Sequence, residues 1–292
     1  MNMDMKLILL LLGALAVLLL GCQWLLSNQF SAKISDLGRR LAAAQAVAPG
    51  ETVPGIPQQI PEAIRAFALR NGGRVGGPTL TVMTQKVEMR LAPDQPFFPL
   101  TARQLSGTRG PGFVWHAPGR MAGILPLAVV DSFVADAGLL EARLLGAITV
   151  ASATGPETAV GEAMRFLAEL PWNPDAILNA PDLVWQQRDA RSIEVSTPTE
   201  GGVARVTLLL DAAGDVVAIR AEDRPRLGDT PAPWIGRFAD YVRVGAYRFP
   251  RHGEIAWDLP GGEYVYWRGD ILGVTADEAP SQSGAELTPT PD

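Results

Sequence analysis

Between Thr79 and Thr275 the chain reads as extended segments whose connections are shorter than a parallel crossover allows. Parallel neighbours need a connection of about a dozen residues, so this spacing predicts antiparallel pairing. Val87, Met89 and Leu91 alternate with Glu88 and Arg90, the period of a half-buried strand. Further strands are expected at 112–117, 125–133, 139–151, 183–188, 192–196 and 203–210. Others are expected at 216–221, 241–249, 254–259, 264–268 and 271–275. Turn residues punctuate the run at Asp211-Ala212-Ala213-Gly214, Pro260-Gly261-Gly262 and Arg268-Gly269-Asp270.

One helix interrupts the strands, from about Glu157 to Leu170. Thr154 and Glu157 have capping-box spacing, with Pro156 between them. Val160, Ala163, Met164, Leu167 and Leu170 make one apolar face, while Arg165 lies within a turn of both Glu162 and Glu169. Pro171 ends this helix, and Asn173-Pro174-Asp175 opens a short second one. A large antiparallel sheet must bury one face. The helix pair is its natural cover, which gives an α+β fold: a large curved, half-barrel-like antiparallel sheet under a mid-chain helix pair.

The amino-terminal end obeys a different rule. Residues 7–26 are almost wholly apolar, broken by Gly13, Gly21, Cys22 and Gln23. About 20 helical residues cross a hydrocarbon core, so the run fits a transmembrane helix with Trp24 at the interface. A competing reading is a lipoprotein signal: Leu19-Leu20-Gly21-Cys22 is similar to a bacterial lipobox, which makes Cys22 the lipidation candidate. Leu20 is bulky for that motif, and Trp24, Leu25 and Leu26 prolong the apolar run. Both readings make the membrane a partner. Lys33, Arg39 and Arg40 after the run favour an inner-side domain by the positive-inside rule, whereas a signal-anchor favours the outer side.

The chain therefore divides into an anchor at 1–30, a stalk helix and Pro-rich linker at 31–60, a strand-rich domain at 61–275 and an acidic, disordered tail at 276–292. In the stalk, Ile34, Leu37, Leu41 and Ala44 recur at helical spacing, read as a solvated helix or as one lying on lipid headgroups. Pro61-Glu62 opens a short helix that Asn71-Gly72-Gly73 closes.

Composition removes several functions. Net charge is -6, so a broad basic face for nucleic acid is excluded. One cysteine rules out an internal disulfide or a multi-cysteine zinc site, and no metal or cofactor set emerges. Phosphate-binding loops, dinucleotide fingerprints and zinc-protease motifs are absent from the sequence. His116 and His252 are the histidines. His252 in Arg251-His252-Gly253 is a conceivable general base with Asp223, Asp240 or Glu254 as orienter, or a plain turn residue. Ser132 follows Asp131 but lacks a nucleophile elbow.

What remains is aromatic and polar. Trp115, Trp172, Trp234, Trp257 and Trp267, with Arg165, Glu169 and Arg224, form the candidate ligand-binding set. Tryptophans line apolar cavities with a polar N–H as handle, and equally fill ordinary cores. Arg165 and Glu169 make either a polar cavity mouth or a structural ion pair, and Arg224 either holds a lipid phosphate or carboxylate or braces the turn at Pro225.

Several strings in order carry a resemblance: Phe113-Val-Trp-His-Ala117, Arg165-Phe-Leu-Ala-Glu-Leu-Pro-Trp172-Asn-Pro174, Asp223-Arg-Pro225, Trp234-Ile-Gly-Arg-Phe-Ala-Asp-Tyr241, Glu254-Ile-Ala-Trp257 and Tyr264-Val-Tyr-Trp267. Over residues 57–275 the chain resembles an uncharacterised bacterial family of membrane-anchored proteins, a domain of unknown function. That family is similar in shape to envelope carriers of the LolA/LolB kind, half-open sheets around helices with an apolar cavity. The resemblance implies a cytoplasmic (inner) membrane location with the domain on the periplasmic side. It carries no catalytic residue, because fold does not fix function. The expectation is a membrane-tethered, non-catalytic module that binds a lipid or acyl group between sheet and helices. An envelope scaffold is the alternative, and a hydrolase using His252 the third reading.

Overall fold

Period two sets Met83, Gln85 and Val87 on one face of the first strand and Leu80 and Val82 on the other, and both faces find apolar cover. The computed structural model describes residues 3–46, 60–121, 123–226 and 228–277. The strands are β1 (Leu80–Met89), β2 (Phe98–Gly107), β3 (Phe113–Met121), β4 (Leu125–Val134), β5 (Ala137–Leu144) and β6 (Ile148–Thr154). After a helical interval come β7 (Val184–Gln187), β8 (Ser192–Thr199), β9 (Gly202–Leu210) and β10 (Val216–Arg226). Then follow β11 (Asp229–Val244), β12 (Tyr247–Leu259) and β13 (Gly262–Asp277). All thirteen form one antiparallel sheet, ordered β6-β5-β4-β3-β2-β1-β13-β12-β11-β10-β9-β8-β7. The expected curved, half-barrel-like α+β architecture is the one observed.

Among the described residues four helices complete it: α1 (Met3–Gln45), α2 (Glu62–Arg70), α3 (Pro156–Ala168) and α4 (Pro174–Asn179), the last two joined through a 3-10 turn at Leu170–Trp172. Helix α3 touches β4–β6 near one edge and β8–β10 near the other, so the sheet curls around it. Ala163, Met164, Phe166 and Leu167 of α3 meet Phe113, Trp115, Val206, Leu208 and Ile219 in the concave core. The α3 start is not a capping box: Gly155, at φ 97°, is the cap residue and no side chain caps the helix. Glycine is tolerated there because positive φ costs it nothing.

Helix α1 is continuous from the apolar run into the stalk region. Residues 31–45 are neither solvated all round nor free for headgroups. Phe30, Ile34, Leu37 and Leu41 are buried on the convex side against Leu80, Leu105, Val114, Val130 and Val134. Full burial of such side chains stabilises by about 1.5–3 kcal/mol each. Gln45 closes the contact, accepting from the Arg109 amide at 2.7 Å and donating to the Gly110 carbonyl at 3.3 Å. Most of the Pro-rich linker and of the acidic tail lies outside the described residues.

Several strand boundaries differ from expectation. The segment 139–151 is two strands, because Leu145 (φ 54°) and Gly146 (φ 67°) make a turn with two positive φ values. The segment 241–249 likewise splits at Gly245 (φ 59°). Conversely, Arg268-Gly269-Asp270 lies within β13 and is no turn. A Cβ on Gly269 would stand 2.7 Å from Val87 Cγ1, so this glycine serves close packing. Strand β2 and the first half of β11 lie outside the expected strands, although Leu100 and Ala102 alternate with Thr101 and Arg103 in β2.

Candidate functional site

Where α3 crosses the concave face, its polar side chains meet an inward-facing carboxylate, Asp131, and an amide, Gln104, of the sheet. Arg165 donates from Nε to Glu169 Oε1 at 2.8 Å, from Nη1 to Asp131 on β4, and from Nη2 to Gln104 Oε1 on β2 at 3.3 Å. Its guanidinium lies 4.9 Å from the centres of both the Phe113 and Trp115 rings. Gln104 donates to Glu169 and, at 2.9 Å, to Ser106 Oγ. Trp115 turns its N–H to Gln85 Oε1 at 2.9 Å. Burial works to lower the Arg165 pKa, but Glu169, Asp131 and Glu162 outweigh it and hold the guanidinium firmly charged.

Arg224 on β10 is the second buried cation. It donates to the Gly161 carbonyl at 2.5 Å, lies 3.9 Å from Glu162 Oε1, and stacks 4.2 Å from the Trp234 ring. Burial, and then the neighbouring Asp131, raise the Glu162 pKa well above the usual carboxylate range. Glu162 and Asp131 face each other, and Glu162 Oε2 and Asp131 Oδ1 are buried oxygens without any other hydrogen-bond partner. The carboxyl groups of Asp131, Glu162 and Glu169 thus stand against the guanidinium groups of Arg165 and Arg224, the pairing that makes charge burial tolerable.

Beyond Arg224 the concave face is aromatic. The β12–β13 register slips at Ile255/Ala256, leaving Tyr266 as an extra residue, and both Tyr266 and Trp267 pack on the concave core. Trp234 donates to Tyr266 Oη at 3.1 Å. Trp257 stacks on Tyr266 at 6.0 Å and 23°, and Arg226 lies 5.3 Å over Trp257. Tyr264 lies 6.2 Å from Tyr266 and donates to the Arg90 carbonyl at 2.9 Å. Trp257, Tyr264 and Tyr266, with Met89 and Phe98, are half-buried. They form an apolar mouth at one end of the concave side.

The eight nominated residues thus fall into three groups. Trp115, Arg165 and Glu169 sit together in the α3 network. Trp172 and Trp267 pack at 6.3 Å over Gly253, with Trp172 donating to the Pro250 carbonyl at 2.8 Å. Arg224, Trp234 and Trp257 join through Tyr266. Cys22 is exposed on the undocked half of α1. Asp131, Glu162, Gln104 and Tyr266 were not nominated as site residues. Asp131 was detectable: it is a carboxylate within an otherwise apolar strand.

Space is distributed unlike the expectation. Between α3, the 3-10 turn and β1–β2 only about 10 Å³ stays open, room for a single water. An open groove of about 720 Å³ instead lies over β1, β2, β3, β12 and β13, lined by Lys86, Glu88, Arg120, His252, Arg268 and Asp270, among others. His252 Nδ1 stands 3.1 Å from Asp270 Oδ1, so its partner is not Asp223, Asp240 or Glu254. Ser132 lines a different crevice with Lys33, Leu37 and Arg40 of α1, remote from His252 in the lining of either space. His116 is half-buried in the middle of β3.

Among solved structures, a LolA superfamily protein from Nitrosomonas europaea overlaps at 10% identity and a TM-score of 0.42, covering 76% of this chain and 96% of that one. A protein titled GphF Dehydratase 1 overlaps at 11% identity and a TM-score of 0.17, covering 73% and 81%. Overlaps this shallow transfer neither ligand nor activity. No curated protein matches the chain. The model of a family of unknown function, DUF6544, matches residues 53–269, and the chain belongs to that family.

Proposed function

We propose that this protein is a membrane-tethered, non-catalytic module that takes an apolar chain, of a lipid or an acylated envelope component, at the aromatic mouth of its concave face. The observation that carries the reading is the half-buried cluster of Trp257, Tyr264, Tyr266, Met89 and Phe98 at the edge of the concave core. Ligand sites are mostly apolar with a few placed polar groups. Here Arg226, partly exposed over the Trp257 ring and paired with Asp229 at 2.9 Å, flanks the rings and suits a carboxylate or phosphate head. The tight packing of α3 and the 3-10 turn on β1 and β2 favours this mouth over that part of the sheet–helix interior.

The exposed apolar half of α1, from Leu10 to Leu26, supports membrane attachment by length and hydropathy. In a bacterium this fits the inner membrane with the domain on the outer side. An environment-sensitive fatty acid should bind the delipidated protein saturably, and Trp257→Ala should weaken it about tenfold. Non-saturable uptake, equal in wild type and variant, rejects the reading in favour of a ligand-free scaffold.

A further inference from the structure

Antiparallel alternation collects the end of β1, the β3–β4 turn and the β5–β6 turn at one end of the sheet. That end is unusually greasy. Ile124 is 73% exposed, Leu91 66% and Ile148 57%, with Leu125 and Val150 exposed beside them. These residues sit on separate strands and turns, so they form a rim and not one stray side chain. Arg90 and the exposed Arg120 stand among them, and Arg120 reaches the Ile124 carbonyl at 3.5 Å. Exposed apolar side chains gathered at one end of a sheet, with cations among them, mark a contact site.

The position of α1 decides what the contact is. Its docked half runs from Gln45, beside Gly107 and Gly110 at the far end, to Ser27, packed against Gly146 in the β5–β6 turn. A Cβ on Gly146 would stand 2.5 Å from Ser27 Oγ and 3.2 Å from its Cα, so helix and turn are in direct contact. The continuous helix therefore leaves the domain past the greasy rim, and its next turn carries Trp24, 67% exposed. No flexible linker separates the apolar segment from the domain.

We infer that this rim, Leu91, Ile124, Leu125, Ile148 and Val150, rests in the headgroup–acyl boundary of the bilayer that α1 enters. The inference rests on the reading of α1 as a membrane helix. Interfacial side chains of this kind bury about 5–10 Å into that boundary, and the arginines meet anionic headgroups. The rim thereby fixes the domain upright. Tyr264, at the start of β13 and bonded to Arg90 beside Leu91, brings the aromatic mouth to the same end, next to lipid.

The test uses the full chain in vesicles of phosphatidylcholine with phosphatidylglycerol, in a Cys22→Ser background. Single substitutions Ile124→Cys, Ile148→Cys and, at the opposite end, Ala212→Cys carry a fluorophore, and lipids with a shallow nitroxide quench it. At least twofold stronger quenching at 124 and 148 than at 212 is expected. Flotation of the same samples reports the anchor separately. Protein that floats with equally weak quenching at all three positions overturns the rim and keeps the anchor. Protein that does not float overturns the anchor, and the rim with it.

Discussion

At the residue scale, two glycines define how tightly the concave face is filled. Gly253 and Gly269 are register partners on β12 and β13, and the Trp172 and Trp267 rings lie over them. A Cβ on Gly253 would stand 2.8 Å from Trp172 Cζ2. Gly253→Ala should cost about 1–3 kcal/mol by overpacking, read as a lower midpoint in urea. An unchanged midpoint would refute this packing. Glu162 gives a pH test. Its folded pKa lies above the unfolded value, so the folded state holds the extra proton, and stability falls as pH rises from about 4.5 towards the folded pKa. Glu162→Gln keeps the neutral shape and should flatten this decline in thermal unfolding between pH 5 and 8. The same slope in the variant would show that Glu162 is not the titrating group. Arg165→Met, which strands Asp131 and Glu169, should cost about 3–5 kcal/mol. Chemical denaturation of the variant measures it.

At the scale of elements, α1 joins two environments in one helix of 43 residues, about 65 Å long. Its docked stripe was visible as the spacing of Ile34, Leu37 and Leu41, but spacing names a buried face without naming its partner. Leu37→Asp combined with Leu41→Asp should release the helix from the convex face. Arg39 and Arg40 would then be cut by trypsin in mild digestion, while wild type resists there. Equal cleavage in both proteins would count against docking. Strand boundaries depended on local chemistry. Pro260-Gly261 was legible as a turn because its residues favour one, whereas Leu145 holds positive φ against its own preference.

At the scale of the molecule, β13 lies at the centre of the sheet, between β1 and β12, although it is the last strand among the described residues. Joining β1 to β13 pairs segments about 180 residues apart, so the centre of the sheet rests on distant contacts. Truncation before Gly262 should abolish cooperative unfolding of the whole domain by circular dichroism, whereas an edge strand removed would not. Retention of a sharp transition would mean that β1 and β12 are stable without their shared neighbour.

The amino-acid sequence by itself determined the antiparallel class, the helix pair, the apolar amino-terminal run and the Arg165–Glu169 pair. These rest on period, spacing and turn chemistry, which act over a few residues. Tertiary structure alone decided that α1 docks on the convex face, that Asp131 and Glu162 meet, that Tyr266 bulges beside Trp267, and that the space under α3 is filled. Most depend on segments 30 or more residues apart, and the bulge on the register of the β12–β13 pair; strand register and curvature set them, and local pattern carries no record of either.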